Sequence, residues 1–175
     1  MIPLQYRAIF LDRDGVINKH RSDYVKTILE LEILPSVPSH LAELQKLGFK
    51  LIIITNQSAV NRGLLSSEQL KIIHDFLIRE LAAFGCSIDG IFYCAHRPNE
   101  NCYCRKPKTK MFLDAATQHN IDLSQSWVIG DSDTDVEAGK KIGCNTIKID
   151  TNKSLEKAVY IIRHHAREKM GKIMI

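Results

Sequence analysis

The chain has 175 residues, 45% of them apolar and 25% charged, which is the size of one domain and the make-up of an ordinary globular protein. No apolar run approaches the roughly 20 residues of a membrane span, and residues 1–7 lead into the first apolar run without a secretory leader, so a cytoplasmic protein with reduced cysteines is expected. The net charge of +4 sits in residues 151–175, where six Lys/Arg face two acids; the rest is neutral, without the basic stripe of a nucleic-acid enzyme.

Apolar runs alternate with helical periodicity, the pattern of βα units around a parallel sheet. A first strand is predicted over about residues 7–12, where Ala8-Ile9-Phe10-Leu11 runs into Asp12-Arg13-Asp14-Gly15. Val37, Leu41, Leu44 and Leu47 form the stripe of a helix over about 37–47, with Gly48 as its stop. A strand over about 50–55 carries Leu51-Ile52-Ile53-Ile54 into Thr55-Asn56-Gln57-Ser58. The next helix, about 67–84, opens at Ser66-Ser67-Glu68, where either serine suits a cap and the acid suits the first turn. Its apolar positions Leu70, Ile73, Leu77 and Leu81 recur at helical spacing. Residues 91–93 read as a third strand, 111–119 as a helix, and 127–130 as a strand ending at Asp131. A short helix over about 133–142 stops at Gly143, a last strand covers 146–149, and Leu155, Val159, Ile162 and Ala166 stripe a tail helix within 151–175. No repeat or linker interrupts the chain, so residues 1–175 read as a single domain.

Ligands of open parallel sheets bind beyond the carboxyl ends of the strands. Polar clusters after three such strands therefore converge on one acidic point, which asks for a hard divalent cation such as Mg²⁺. Arg105-Lys106-Pro107, just before the helix near Lys110, adds a cation that offsets an anion the acids would repel. The order Asp-x-Asp-Gly, Thr-Asn, Lys-Pro and Gly-Asp-x-x-x-Asp resembles the haloacid dehalogenase superfamily of phosphohydrolases over about residues 7–150. The resemblance implies an α/β fold, a Rossmann-like parallel sheet with helices on both faces. The intervals before Thr55 and before Lys106 are too short for a separate cap domain, so a capless member is expected, its site walled by loops 19–25, 58–64 and 94–106.

The last of these loops carries Cys94, His96, Cys102 and Cys104. Three thiolates and one imidazole complete a tetrahedral zinc set with no open position, which makes the site structural. Cys86 and Cys144 lie beside apolar segments and read as core. A zinc loop in a capless phosphatase resembles the heptose-bisphosphate 7-phosphatases and the related histidinol-phosphate phosphatases. The stretches from Phe10 to Asn18, from Thr55 to Ser58 with Arg62-Gly63, and from Cys104 to Pro107 match the heptose group; Ser132 departs from it, standing where some of its members have a lysine.

The superfamily resemblance implies that Asp12 attacks phosphorus to give an aspartyl-phosphate and that Asp14 serves as acid and then base. It places Mg²⁺ on Asp12, Asp131 and the main-chain carbonyl of Asp14, with Thr55 and Asn56 donating to the transferring group and Lys106 balancing its charge. Gln57, Ser58, Arg62 and Arg105 are further substrate contacts on this reading, with Arg105 set against a second anionic group. Asp135 is expected to hold Lys106, Asp133 to cap its helix, and Arg13 to point away from its acidic neighbours by strand alternation. Residues 20–24 would line the entrance, and His164 and His165 would be surface. The implied partner is a small phosphorylated sugar, most simply a heptose 1,7-bisphosphate cleaved at its 7-phosphate by a monomer, with no nucleic acid or membrane involved. Histidinol phosphate is the rival substrate. A 3′-phosphatase for nucleic acid would want a basic groove, and a binding module on an inactive fold would lack one of Asp12, Asp14, Lys106 or Asp131; all four are present.

Overall fold

The computed structural model describes residues 5–173, with side chains as far as 167. Five strands, β1 (Arg7–Leu11), β2 (Phe49–Asn56), β3 (Gly90–Cys94), β4 (Trp127–Gly130) and β5 (Asn145–Lys148), form one sheet of order β3-β2-β1-β4-β5. All four pairings are parallel. The helices between and after them are α1 (Val37–Lys46), α2 (Ser67–Ala83), α3 (Lys110–His119), α4 (Asp133–Lys141) and α5 (Glu156–Ile173). The α/β architecture with helices on both faces is thus the one the sequence implied, with boundaries displaced by a residue or two.

Side chains of a strand alternate between faces, and the near-continuous apolar runs of β1 and β2 follow from burial on both. Ile9, Leu11, Leu51 and Ile53 point to one side, where they pack with Leu41 and Leu44 of α1, Leu77 of α2 and Val159 and Ile162 of α5. Ala8, Phe10, Ile52 and Ile54 point to the other, against Met111 and Phe112 of α3 and Ala138 of α4. Cys86 and Cys144 are buried, one in each layer, as expected for core thiols. Ser66 is the residue that caps α2: its Oγ accepts from the Gln69 amide at 3.1 Å, and Gln69 Oε1 accepts from the Ser66 amide at 2.6 Å. This reciprocal pair satisfies two donors the helix itself leaves open.

The tail helix docks by the predicted stripe, with Leu155, Val159 and Ile162 buried, and Arg163 adds a 2.9 Å ion pair to Glu43 of α1. One expectation for it fails: His165 is not a surface residue without partners but sets its ring edge-on to Trp127, with centroids 5.3 Å apart. Spacing alone hides this, because the contact is made to β4, some 38 positions back in the chain. His164 is exposed, beside the Tyr160 ring. Among the described residues no helix is long and apolar enough to cross a membrane.

The strand order reverses direction between β1 and β4, which is where an open parallel sheet offers its crevice. Asp12 follows β1 and Asp131 follows β4. No additional domain is inserted between β1 and β2 or between β2 and α3; those intervals hold loops, one short 3₁₀ turn at Ile28–Glu30, α1, α2 and β3.

Candidate active site

Lys106 is the electrostatic centre of the crevice. Only 3% exposed, its Nζ lies 2.9 Å from Asp12 Oδ1 and 2.6 Å from Asp135 Oδ1 and donates to the Ile54 carbonyl at 2.7 Å. Burial alone would favour a neutral amine, but the two carboxylates outweigh it and hold the ammonium form above its usual range. Its backbone is held as well, since the Lys106 amide donates to Asn56 Oδ1 at 3.1 Å. Asp12 experiences the reverse balance. Burial pushes its carboxyl up to about 7, against the pull of Lys106 and with help from the charges of Asp135 and Asp14.

Asp135 therefore holds Lys106, as expected. Its other oxygen accepts from the Ser132 amide at 3.2 Å, which makes Ser132 the residue that caps α4. Asp133 is instead the first residue of the helix, and its carboxylate pairs with Lys148 at 2.7 Å.

Asp14 sits in a ring of donors. Arg13 Nη2 is 3.0 Å from both of its oxygens, Asn18 Nδ2 donates to Oδ1 at 2.9 Å, and Gln57 Nε2 donates to Oδ2 at 2.7 Å. Burial acts to raise its pKa, but the Arg13 charge and these hydrogen bonds prevail and hold it below the usual carboxylate range. Two carboxylates two residues apart thus have opposite proton affinities, which is how identical groups acquire different roles. Arg13 corrects the sequence reading. Strand alternation does not govern it, because β1 ends at Leu11 and the chain turns at once, with the Ile17 amide donating to the Arg13 carbonyl at 2.9 Å. Its side chain bends back beneath Asp14, fully buried.

Gln57 is likewise turned inward. It is 2% exposed, and its amide bridges Asp14 and the Thr55 hydroxyl, the latter at 2.9 Å. It orients the acid rather than facing the cavity. Asp131 accepts from Thr151 Oγ1 at 2.7 Å. A Cβ on Gly15 would lie 2.3 Å from Asp131 Oδ2, and the φ of +86° there is open to glycine. The glycine of the first motif thus makes room for the aspartate of the last. Thr151 is a site residue that sequence reasoning missed. The signal was available: Asp150-Thr151-Asn152 is a polar run after an apolar strand, like the three that were recognised.

A cavity of about 510 Å³ is lined by Asp12, Asp14, Lys106, Asp131 and Thr151, with His20, Arg21, Ser22 and Tyr24 along its loop side. Asn152 Oδ1 braces that side by accepting from the His20 amide at 2.6 Å. Arg62 is exposed, its guanidinium 6.0 Å above the Tyr24 ring, and Ser58 is buried beneath it. Arg105 opens onto an adjoining depression that shares Asn56, Lys106 and Thr134 with the main cavity. One of its Nη atoms donates to the His96 carbonyl at 3.1 Å.

Cys94, at the end of β3, meets the loop that follows. The sulfurs of Cys94, Cys102 and Cys104 and His96 Nδ1 all lie within 4.8 Å of one another, with Cys104–Cys94 at 3.0 Å and Cys94–His96 at 3.4 Å. None of the cysteines is in a disulfide. The four groups surround one point, two residues before Lys106.

A parallel sheet with acids after β1 and β4 and a buried lysine between them defines a hydrolase of the haloacid dehalogenase class, and the HAD-hydrolase-like family model matches residues 103–167. The D-glycero-β-D-manno-heptose-1,7-bisphosphate 7-phosphatase of Helicobacter pylori is 44% identical over 137 residues, covering 76% of this chain and 77% of that protein. Its counterpart from Pseudomonas aeruginosa is 37% identical over 147 residues, covering 84% and 83%. The crystal structure of the D,D-heptose 1,7-bisphosphate phosphatase of B. bronchiseptica, complexed with magnesium and phosphate, superposes with a TM-score of 0.79 at 37% identity, covering 83% of this chain and 81% of that one. The chain belongs to this family of heptose-bisphosphate 7-phosphatases.

Proposed function

We propose that the protein hydrolyses a small phosphate monoester through an aspartyl-phosphate, and that its substrate is D-glycero-D-manno-heptose 1,7-bisphosphate, cleaved at the 7-phosphate. The contact of Asp12 with Lys106 at 2.9 Å, in a cavity shared with Asp14, carries the chemistry. The likeness to the heptose enzymes carries the substrate.

Asp12 is the nucleophile: its carboxylate oxygen attacks phosphorus as the sugar oxygen departs. Asp14 gives that oxygen a proton and then takes one from the water that hydrolyses the acyl phosphate. The arriving phosphate dianion adds negative charge beside Asp14 and raises its proton affinity, which suits a group held low in the free protein to act as an acid in the complex. Lys106 and Asn56 face the transferring group, and Thr55, whose hydroxyl accepts from Gln57, retains its own proton to donate. Positioning and charge neutralisation supply most of the rate in such a transfer.

The donor set fits magnesium. Asp12, Asp131 and Asp135 place carboxylate oxygens within 4.8 Å of one another, and hard oxygens are the ligands this ion takes. Asp135 is committed to Lys106 and Ser132, so Asp12, Asp131 and the Asp14 carbonyl would hold the ion. Once bound it would neutralise phosphoryl oxygens and favour ionised Asp12.

The Cys94, His96, Cys102 and Cys104 set fits zinc, since softer sulfur and imidazole donors converge with no place for water. Coordination there would fix a loop with little apolar surface and aim Lys106. Elemental analysis of protein purified without chelator should give about one zinc per chain, and Cys104→Ser should lower both the metal content and the melting temperature. Absence of zinc from the parent protein refutes the assignment.

Substrate choice is tested by phosphate release from the heptose bisphosphate, a heptose monophosphate and histidinol phosphate. Arg105 uses one of its five guanidinium N–H donors on His96 and has others for a second phosphate. Arg105→Ala should then raise KM for the bisphosphate by about 10- to 100-fold, the worth of one charged bidentate contact, and should spare the monophosphate. Equal losses, or a higher kcat/KM for histidinol phosphate, would move the protein to the rival substrate.

A further inference from the structure

Arg13 is a fully buried charge with two assignments. One edge of its guanidinium lies on both Asp14 oxygens. Its Nη1 lies 3.2 Å from Nε2 of His74 in α2, and its Nε is buried without a partner. A guanidinium is charged at any working pH and can only donate. Nε2 of His74 must therefore carry a lone pair, with the ring proton on Nδ1. His74 is itself only 6% exposed, its ring edge-on to Tyr93 with centroids 5.7 Å apart. The charged groups around the imidazole are Arg13, Asp14 and its helix neighbour Asp75; burial, followed by the Arg13 charge, keeps it neutral, with a pKa pushed down to about 3.

The consequence is mechanical. Asn18 reaches one oxygen of Asp14 and Gln57 the other, but only Arg13 grips both. Its guanidinium is placed by the acceptor on its far side, and among the described residues that acceptor is His74. We infer that His74 is a positioning residue for phosphoryl transfer: by accepting from Arg13 it locks the guanidinium on Asp14, and so fixes the direction in which Asp14 passes its proton to the departing oxygen. The inference rests on the reading of Asp14 as the acid. His74 does not line the cavity that holds Asp12 and Asp14.

A misaimed proton donor matters most where the leaving oxygen is a strong base. Alkyl phosphates need the proton and aryl phosphates with acidic phenols hardly do. Hydrolysis of the aspartyl-phosphate also uses Asp14 and is common to both esters, so the readout is single-turnover release of the leaving alcohol. His74→Leu should slow it for the sugar phosphate by about 10- to 100-fold, within the range that proton transfer contributes, and leave the burst of p-nitrophenol from p-nitrophenyl phosphate nearly intact. His74→Gln, which retains an acceptor, should recover most of the loss.

A smaller variant offers a second route. His74 also lines an outer cleft of about 450 Å³ with Lys71, Asp75 and Tyr93, so added imidazole can re-enter the space left in His74→Ala. Imidazole, but not pyrrole, which lacks the acceptor lone pair, should restore turnover of the sugar phosphate. Equal slowing of leaving-group release for the two ester types, or no difference between imidazole and pyrrole, would overturn the inference. Asp14→Asn separates this from failure of the reading beneath it. If that variant also slows leaving-group release equally for both esters, the reading of Asp14 as the acid is wrong; if it discriminates and the His74 variants do not, only His74 is misassigned.

Discussion

Asp12→Asn will leave a folded protein that binds its phosphate ester and does not turn it over. An amide cannot attack phosphorus, and removal of a nucleophile costs on the order of 10⁶ in kcat where the other groups act only in concert with it. Single-turnover assays for inorganic phosphate, with equilibrium binding of the ester measured in parallel, separate the two quantities. Activity near that of the parent would exclude the covalent route. The variant should also show what the site costs the fold. Burial raises Asp12 from 3.8 to about 7, so between those pH values the folded protein binds the proton more tightly than the unfolded chain does. Stability from this group is complete below about 4 and is lost as pH rises to about 7. An asparagine does not titrate, so without added magnesium Asp12→Asn should gain stability over the parent across that interval. A melting-temperature difference that fails to grow with pH would show that Asp12 is not desolvated as its surroundings imply. A gain in stability joined to a loss of catalysis is the usual trade at a strained polar site.

The sheet was legible because its signals are local. Alternation in Ala8-Ile9-Phe10-Leu11 and Leu51-Ile52-Ile53-Ile54 sorts itself into two core layers, and Ser66-Ser67-Glu68 announces the start of α2. Asp12, Asp14 and Asp131 were legible because strand ends converge by topology, whatever the details of the side chains, and Lys106 from the basic element before α3. The partnerships behind them were not. Arg13 was read as pointing away from its acidic neighbours because alternation was carried two residues past the end of β1. Gln57 looked like a substrate contact because it adjoins Thr55-Asn56, although its amide is spent on Asp14 and Thr55. His74 sits 61 positions from Arg13 in a helix whose apolar stripe explains its own burial, so nothing local marks it. Thr151 differs from these three: the rule that located Asp131 also applied at the end of β5. The residues that meet in the cavity were thus readable from motif and topology, whereas the contacts behind them depend on rotamers and long-range packing that spacing does not encode.

Lys106 is where stability and chemistry meet most directly, and Lys106→Met should damage both. The ammonium lies between Asp12 and Asp135, each pair within 2.9 Å, with its side chain 2% exposed. Methionine preserves most of the volume, so packing alone predicts a mild change. The electrostatic argument predicts a severe one. Two buried carboxylates lose their shared counter-ion, and breaking a buried pair from one side costs about 3–5 kcal/mol at neutral pH. The loss should shrink as pH falls. Without Lys106 the Asp12 carboxyl, already raised by burial, loses the charge that pulls it down, so its protonation favours folding, and the variant approaches the parent as pH drops toward the unfolded carboxylate range. Turnover should fall by about 10²–10³, the worth of one preorganised charge at a transferring group, even where acid has restored the fold. Denaturant midpoints at pH 7.5 and 5, with phosphate release measured at both, distinguish the two accounts. A pH-independent stability deficit would assign Lys106 a packing role, and retained turnover would take it out of the reaction.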